Sequence, residues 1–309
     1  MRESVLRSLE MRGNLGRIVS IEHLDDLREG IKTHHRQGAF DEAFYQERLT
    51  GLVFHPPESL PEARSLIVVA VRQPQVRFTF TWNGRHVPVR VPPTYLHWQA
   101  TDGRVERMLA EVLEAEGHRL ARALLPKKLL AVRSGLAEYG RNNITYVPGM
   151  GSSHRLVVFY ADLPCDEEGA DWREPQMMSR CESCRACLRH CPSGAISSER
   201  FLLRAERCIV FHNEQAGDVP FPAWMEPAWH NCLVGCMICQ DVCPENRASP
   251  ARIEDGADFS AEETARLLAG MPLDQLPAET VRKLEAHDLV DLLDLFPRNL
   301  GALLAQEPS

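Results

Sequence analysis

The chain has 309 residues, of which 44% are hydrophobic and 25% charged, the balance of a globular protein long enough for one large or two medium domains. No run of about 18 uncharged apolar residues occurs, which excludes a membrane-spanning helix, and the charged N-terminal segment is not the pattern of a secretory signal. A net charge of −8 excludes a global basic field for nucleic acid. Ten cysteines in a chain without an export pattern are expected to be reduced, in the cytoplasm, rather than paired as disulfides.

The first sixty residues read as helices joined by polar turns, with Leu24, Leu27 and Ile31 on one helical face and Phe40, Phe44 and Leu49 on another. Residues Ser65–Gln73 form a continuous apolar run that predicts a buried strand. The segment VRFTFTW-NG-RHVPVRV predicts a hairpin turning at Asn83-Gly84 in a type I′ turn. That register places Phe80 opposite Val87, Phe78 opposite Val89 and Val76 opposite Val91 on one face, and Arg77 opposite Arg90 on the other. Pro88 lacks a donor, so its strand is expected at a sheet edge.

Residues Gly103–Glu116 predict an amphipathic helix, Arg119–Leu124 a short strand, Pro126–Tyr139 a second helix, and Arg155–Ala161 a strand after the turn at 148–154. Mixed strands and helices through residue 165 imply an α+β architecture. Residues 166–180 read as a polar linker, and the chain beyond Asn246 as helical, with Ser260 to Glu263 as a capping box. The expected organisation is an α/β domain over 1–165, a cysteine domain over 166–250 and a short helical segment over 251–309.

The chemistry lies in two cysteine runs. The first is Cys181-x2-Cys184-x2-Cys187-x3-Cys191-Pro192, and the second is Cys236-x2-Cys239-x3-Cys243-Pro244. The first is the run that holds [4Fe–4S] clusters in bacterial two-cluster ferredoxins, where the fourth Cys ligates the other cluster. By this crossover, cluster one takes Cys181, Cys184, Cys187 and Cys243, and cluster two takes Cys191, Cys236, Cys239 and one upstream thiolate. Cys208 and Cys232 are both available for that place. Cys232-x3-Cys236 is one residue longer than the ferredoxin spacing, which favours Cys208. Structural zinc is the alternative for paired CxxC motifs, but it does not call for four-Cys runs ending in Cys-Pro.

The order of an α/β segment, CESCRACLRHCPSGAI, RCIVF around Cys208 and VGCMICQDVCPEN resembles the epoxyqueuosine reductases and, more distantly, the corrinoid reductive dehalogenases. The segment Ala131–Asn143 is similar to that family's AV(K/R)AGLGWIGK(H/N)T. The resemblance covers roughly residues 60–250 and supports Cys208 over Cys232. It implies a nitroreductase-like domain holding cobalamin and a ferredoxin-like domain with two [4Fe–4S] clusters. It also implies an external electron donor such as ferredoxin or flavodoxin, and tRNA as the substrate carrier in queuosine biosynthesis. Two departures stand out. The family's catalytic Asp falls here near Ala121, within Arg119–Lys128, where no acid occurs. The family's HEAT-like extension is reduced to residues 296–304.

Other residues acquire candidate roles from this comparison. Tyr95 is the candidate proton donor. Tyr139, Arg141, Asn142, Asn143, Ser152 and Ser153 are candidates for binding the corrin. Helix-end and turn chemistry explains the same residues without a ligand. The alternative to a reductase acting on an organic substrate is an electron-transfer or corrinoid-reactivating protein.

Overall fold

The computed structural model describes residues 1–165, 172–249 and 252–306, so part of the expected linker, 166–171, lies outside the described residues. Its central sheet has four antiparallel strands in the order β1 (Leu15–Ser20), β2 (Ser65–Arg72), β8 (His154–Ala161) and β5 (Leu120–Arg122). The apolar run at 65–73 is β2, and it is apolar throughout because both of its faces are covered. Leu66, Val68 and Ala70 join a core with Leu24 and Leu27 of α2 (Leu24–Arg36) and Leu130 and Ala131 of α5 (Lys127–Arg133). Ile67, Val69 and Val71 join the opposite core. There they meet Val5 and Leu9 of α1 (Arg2–Glu10), and Val105, Leu109 and Leu113 of α4 (Trp98–Glu114). Alternation along a strand thus serves two helical layers rather than core and solvent.

Helix α4 starts five residues before the expected Gly103, because its first turns lack the apolar spacing that marks the rest. Helix α5 is shorter than expected. Gly135 adopts φ +69°, and its amide bonds the Val132 carbonyl. This left-handed residue stops the helix. The chain then forms the small ladder of β6 (Glu138–Tyr139) and β7 (Thr145–Tyr146).

The hairpin consists of β3 (Gln75–Trp82) and β4 (Arg85–Val91) in the expected register, with Asn83 and Gly84 at φ 50° and 74°. Strand β4 lies at the edge of its sheet, as Pro88 requires. The other neighbour of β3 corrects the expectation of a wholly helical C-terminal segment. Residues Ile253–Phe259 form β9, parallel to β3. Most of β9 is exposed, so it carries no alternating signal. Its glycine answers a steric demand: a Cβ at Gly256 would stand 2.5 Å from the Phe78 ring.

Two carboxylates separate the facing arginines. Arg77 pairs with Asp255 of β9 at 2.6 Å, and Arg90 pairs with Asp241 at 2.8 Å. A two-stranded hairpin cannot bury its own apolar face. The C-terminal helices α9 (Ala261–Leu268), α10 (Ala278–Ala286) and α11 (Gly301–Leu304) supply the cover. Phe259 stacks on Phe80 at 4.7 Å, and Phe296 meets the same ring edge-on.

The capping box at the start of α9 is complete, with Ser260 and Glu263 each bonding the other's amide. Ser260→Ala is expected to cost about 1 kcal/mol, measurable as a lower thermal midpoint with unchanged iron content.

Candidate cluster sites and the adjoining cleft

Between residues 172 and 249 the chain forms short helices and loops rather than a layered core. Helices α6 (Ala186–His190), α7 (Ile209–Asn213) and α8 (Ile238–Asp241) each sit beside cysteines. Together the loops bring the thiols into two groups. Burial pushes the Cys187 thiol up to about 11, and the nearby charges that add to this are Cys181, Cys243 and Cys184. Cys181 is likewise raised by burial, then by Cys243 and Cys184. In the second group burial pushes Cys208 up to about 12, with Cys236 and Cys191 adding to it. Cys239 is raised by burial, then by Cys236 and Cys208. Cys243 thus acts on Cys181 and Cys187 of the first run, and Cys191 acts on Cys208 and Cys236, the neighbours that crossed ligation calls for.

Buried thiols near one another resist ionisation, and a bound cation would reverse this. Thiols are the donors that iron–sulfur cubanes take, although no group of three or more donors is already closed to metal-binding distance among the described residues. Backbone amides of Val210 and Phe211 point at the Cys208 sulfur, and the Asn231 amide donates to Cys236 Sγ at 3.2 Å. Such bonds tune a cluster's potential. Cys232 is buried at 1% exposure and donates to Asn231 Oδ1 at 3.2 Å, and the charge of Arg90 acts on it.

Several residues singled out from the sequence tie the sheet domain to these loops. Arg141 Nη2 donates to the Cys181 carbonyl at 2.6 Å. Asn142 Nδ2 donates to Tyr146 Oη at 3.0 Å and to the Cys239 carbonyl at 3.4 Å. Asn143, at φ 55°, donates to the Phe201 carbonyl and accepts from the Leu203 amide. Asn246 binds both the Ser152 amide and its hydroxyl at 2.9 Å. The Ser153 carbonyl accepts from Gln73 N, and the Tyr139 ring packs edge-on against Phe201. The buried Nε of Arg141 has no partner among the described residues.

Tyr95 lies elsewhere, on the turn between the hairpin and α4. Its hydroxyl donates to Glu214 Oε1 in a short bond, and Glu214 also pairs with Arg48 at 3.2 Å. Arg48 ends α3 (Glu42–Arg48). Thr94 and His97, which flank Tyr95, adopt φ 96° and 54°. A β-branched residue there is strained, and such strain collects at functional sites. Gln73 and Arg155 hold the turn through the Thr94 amide and carbonyl. Burial raises the Tyr95 pKa well above its ordinary value, and Glu214 and the thiols of Cys208 and Cys232 add to this. The phenol therefore keeps its proton.

Lys128 completes the region. Its side chain reaches solvent, yet surrounding protein desolvates the ammonium and lowers its pKa. The opposing charges are Cys208, Glu214 and Cys239. These partners place the ammonium beside the second thiol group and Glu214. Glu214, Arg48 and Lys128 carried no signal in the sequence, because their relation to Tyr95 depends on segments up to 166 residues apart.

Residues 180–246 match the 4Fe-4S double cluster binding domain family. Epoxyqueuosine reductase from Staphylococcus aureus is 26% identical over 245 residues, covering 75% of this chain and 60% of that protein. The enzyme of that name from Burkholderia pseudomallei is 34% identical over 153 residues, covering 46% of this chain and 37% of its own length. The chain thus spans 60% or less of these two curated relatives. The solved epoxyqueuosine reductase from Streptococcus thermophilus superposes with a TM-score of 0.68 at 18% identity, over 99% of this chain and 81% of that one. The one from Bacillus subtilis gives 0.67 at 22% identity, over 98% and 80%. Mixed helices and strands around a double-cluster region are therefore a fold held in common with these proteins. The chain is accordingly similar to the epoxyqueuosine reductases in sequence and fold, and its residues 180–246 match a double [4Fe–4S] cluster domain.

Proposed function

We propose that this chain is an iron–sulfur reductase that passes single electrons through two [4Fe–4S] clusters toward the cleft holding Tyr95 and Lys128. The observation that carries this is the position of the second thiol group, whose Cys208 and Cys239 charges act on Lys128. The cluster ligands are Cys181, Cys184, Cys187 and Cys243 for one, and Cys191, Cys208, Cys236 and Cys239 for the other. They form a ferredoxin-like segment over 166–250, preceded by a nitroreductase-like domain over 1–165 and followed by a C-terminal segment of strand β9 and short helices.

Cobalamin is the cofactor proposed for the cleft. When bound, it would supply a reducing cobalt centre. A donor for such a group is present in the buried Arg141 Nε, which lacks an acceptor among the described residues. Tyr139, Arg141, Asn142, Asn143, Ser152 and Ser153 would then shape its rim, several of them by fixing the loops behind it. Tyr95 retains its proton beside Glu214 and is placed to donate it, while Lys128 attracts an electron-rich group. Position 121 bears no acid: Ala121 lies in β5, paired with Tyr160.

An epoxyqueuosine reductase has been solved with an epoxyqueuosine-modified tRNA stem loop. We place this chain's substrate in the same chemical class, with an external ferredoxin or flavodoxin as electron donor. Anaerobic reconstitution is expected to yield about eight irons per chain, with a change in the cobalamin absorbance spectrum on titration. Eight irons without corrin binding would overturn the cobalamin assignment and leave an electron-transfer protein. Turnover of the stem loop is expected to be weak for lack of an acid at 121. Robust turnover would assign that role to Tyr95 with Glu214.

A further inference from the structure

The C-terminal unit does more than cover the hairpin. At its π-helical turn, Phe296–Leu300, Arg298 spends its whole guanidinium on the protein. Nη1 donates to the carbonyls of Ala216 and Val219 at 2.7 and 2.6 Å. Nη2 donates to those of Asn213 and Gln215 at 3.2 and 2.7 Å. Nε is held by Asn299 Oδ1 at 2.9 Å. All four carbonyls belong to one loop, 213–219, and that loop carries Glu214. Five donors in a planar fork fix a loop's shape in a way that a lysine's single nitrogen cannot.

The neighbouring contacts act in the same sense. Asn299 is fully buried and donates to the carbonyls of Asn213 and Leu233, both at 2.8 Å. The Asn213 side chain makes reciprocal bonds with the Gly235 amide and carbonyl, beside Cys236. Gly217 N donates to Asp294 Oδ2, and a Cβ at Gly217 would collide with the Asp294 carbonyl oxygen. Gly235 in turn lies under the Tyr95 ring, where a Cβ would meet ring atoms at 2.7 Å. The turn therefore moulds both the loop bearing Glu214 and the backbone against which Tyr95 packs.

We propose that Arg298 is a positioning residue of the cleft, setting Glu214 against the Tyr95 hydroxyl through the loop 213–219. This deepens the function proposed above and rests on the cleft being the reaction chamber. Its test needs neither substrate nor corrin, so its failure is distinguishable from failure of that assignment. A fluorinated tyrosine at position 95 would be followed by fluorine NMR in the cluster-loaded, oxidised protein.

Glu214→Gln is expected to move the resonance. Arg298→Ala should move it in the same direction by about half as much or more, as the carboxylate leaves the hydroxyl. Arg298→Lys should fall between Arg298→Ala and the native chain. Ser260→Ala, which weakens the same C-terminal unit without touching the loop, should leave the resonance in place. If Arg298→Ala does not fold, Arg298→Lys against the native chain decides the matter. The proposal is overturned if Glu214→Gln shifts the resonance and neither Arg298 variant does. It is equally overturned if Glu214→Gln has no effect, or if Ser260→Ala moves the resonance as far as Arg298→Ala.

Discussion

Cys208→Ser is expected to remove one of two clusters, lowering iron from about eight to about four per chain, whereas Cys232→Ser should leave about eight. Both cysteines precede the second run, and both are desolvated. They differ in company. Cys208 stands with Cys236 and Cys191 at the start of α7, with helix amides aimed at its sulfur. Cys232 also feels Cys236, but it donates a hydrogen bond to Asn231 and stands under the charge of Arg90. The crossed arrangement has its own signature. Cys243→Ser and Cys181→Ser should abolish the same paramagnetic signal in the reduced protein, although 62 residues separate them. Cys239→Ser should abolish the other. If Cys243→Ser and Cys239→Ser remove one and the same signal, the ligands follow the runs and the crossover is wrong. A structural metal contributes folding free energy directly, so these variants should also lose thermal stability.

The second large effect concerns acid stability. His154 begins β8 and is 5% exposed. Its Nδ1 contacts the Gly151 carbonyl at 3.1 Å and its Nε2 the Thr145 hydroxyl at 3.0 Å. A carbonyl can only accept, so Nδ1 carries the proton and Nε2 accepts from Thr145 in the neutral ring. Burial lowers the pKa from 6.5 to about 4, and Lys128 adds to the effect. Between those two values the unfolded chain binds a proton that the folded chain refuses, so stability falls as pH drops. The loss from this group between pH 7.5 and 5.5 is about 1.4 kcal/mol, roughly 2 °C in thermal midpoint for a chain of this size. His154→Gln keeps a donor and an acceptor but does not titrate. It should flatten the acid limb by that amount. An unchanged pH dependence in His154→Gln would show that the folded imidazole takes up its proton as readily as in the unfolded chain.

Reading the sequence alone succeeded where the physics is local. The Asn83-Gly84 turn sets the hairpin register because a two-residue loop admits only one pairing. The Ser260–Glu263 box is legible because both partners lie within one helical turn. The cysteine spacings speak for themselves because a cubane accepts few geometries. Other features were not legible for an equally definite reason. Strand β9 is largely exposed and acidic, so no apolar alternation announces it; it forms because β3 offers an open edge and Gly256 lets Phe78 approach. Arg77 and Arg90 set like charges opposite each other in the hairpin, and the carboxylates that pair with them, Asp255 and Asp241, come from distant segments.

What the sequence determined by itself, then, is the chemistry this protein can hold: two sets of thiolates at spacings suited to iron–sulfur clusters, and the local turns and caps that shape their neighbours. What only the tertiary structure decided is where that chemistry points. Glu214, on a loop that Arg298 holds from the far end of the chain, meets Tyr95 from the hairpin turn and Arg48 from an N-terminal helix and acts on Lys128 from α5. No local pattern encodes such a meeting. It arises because burying both faces of β2 and the one apolar face of the hairpin brings these segments together, and desolvation then makes their few polar groups act on one another.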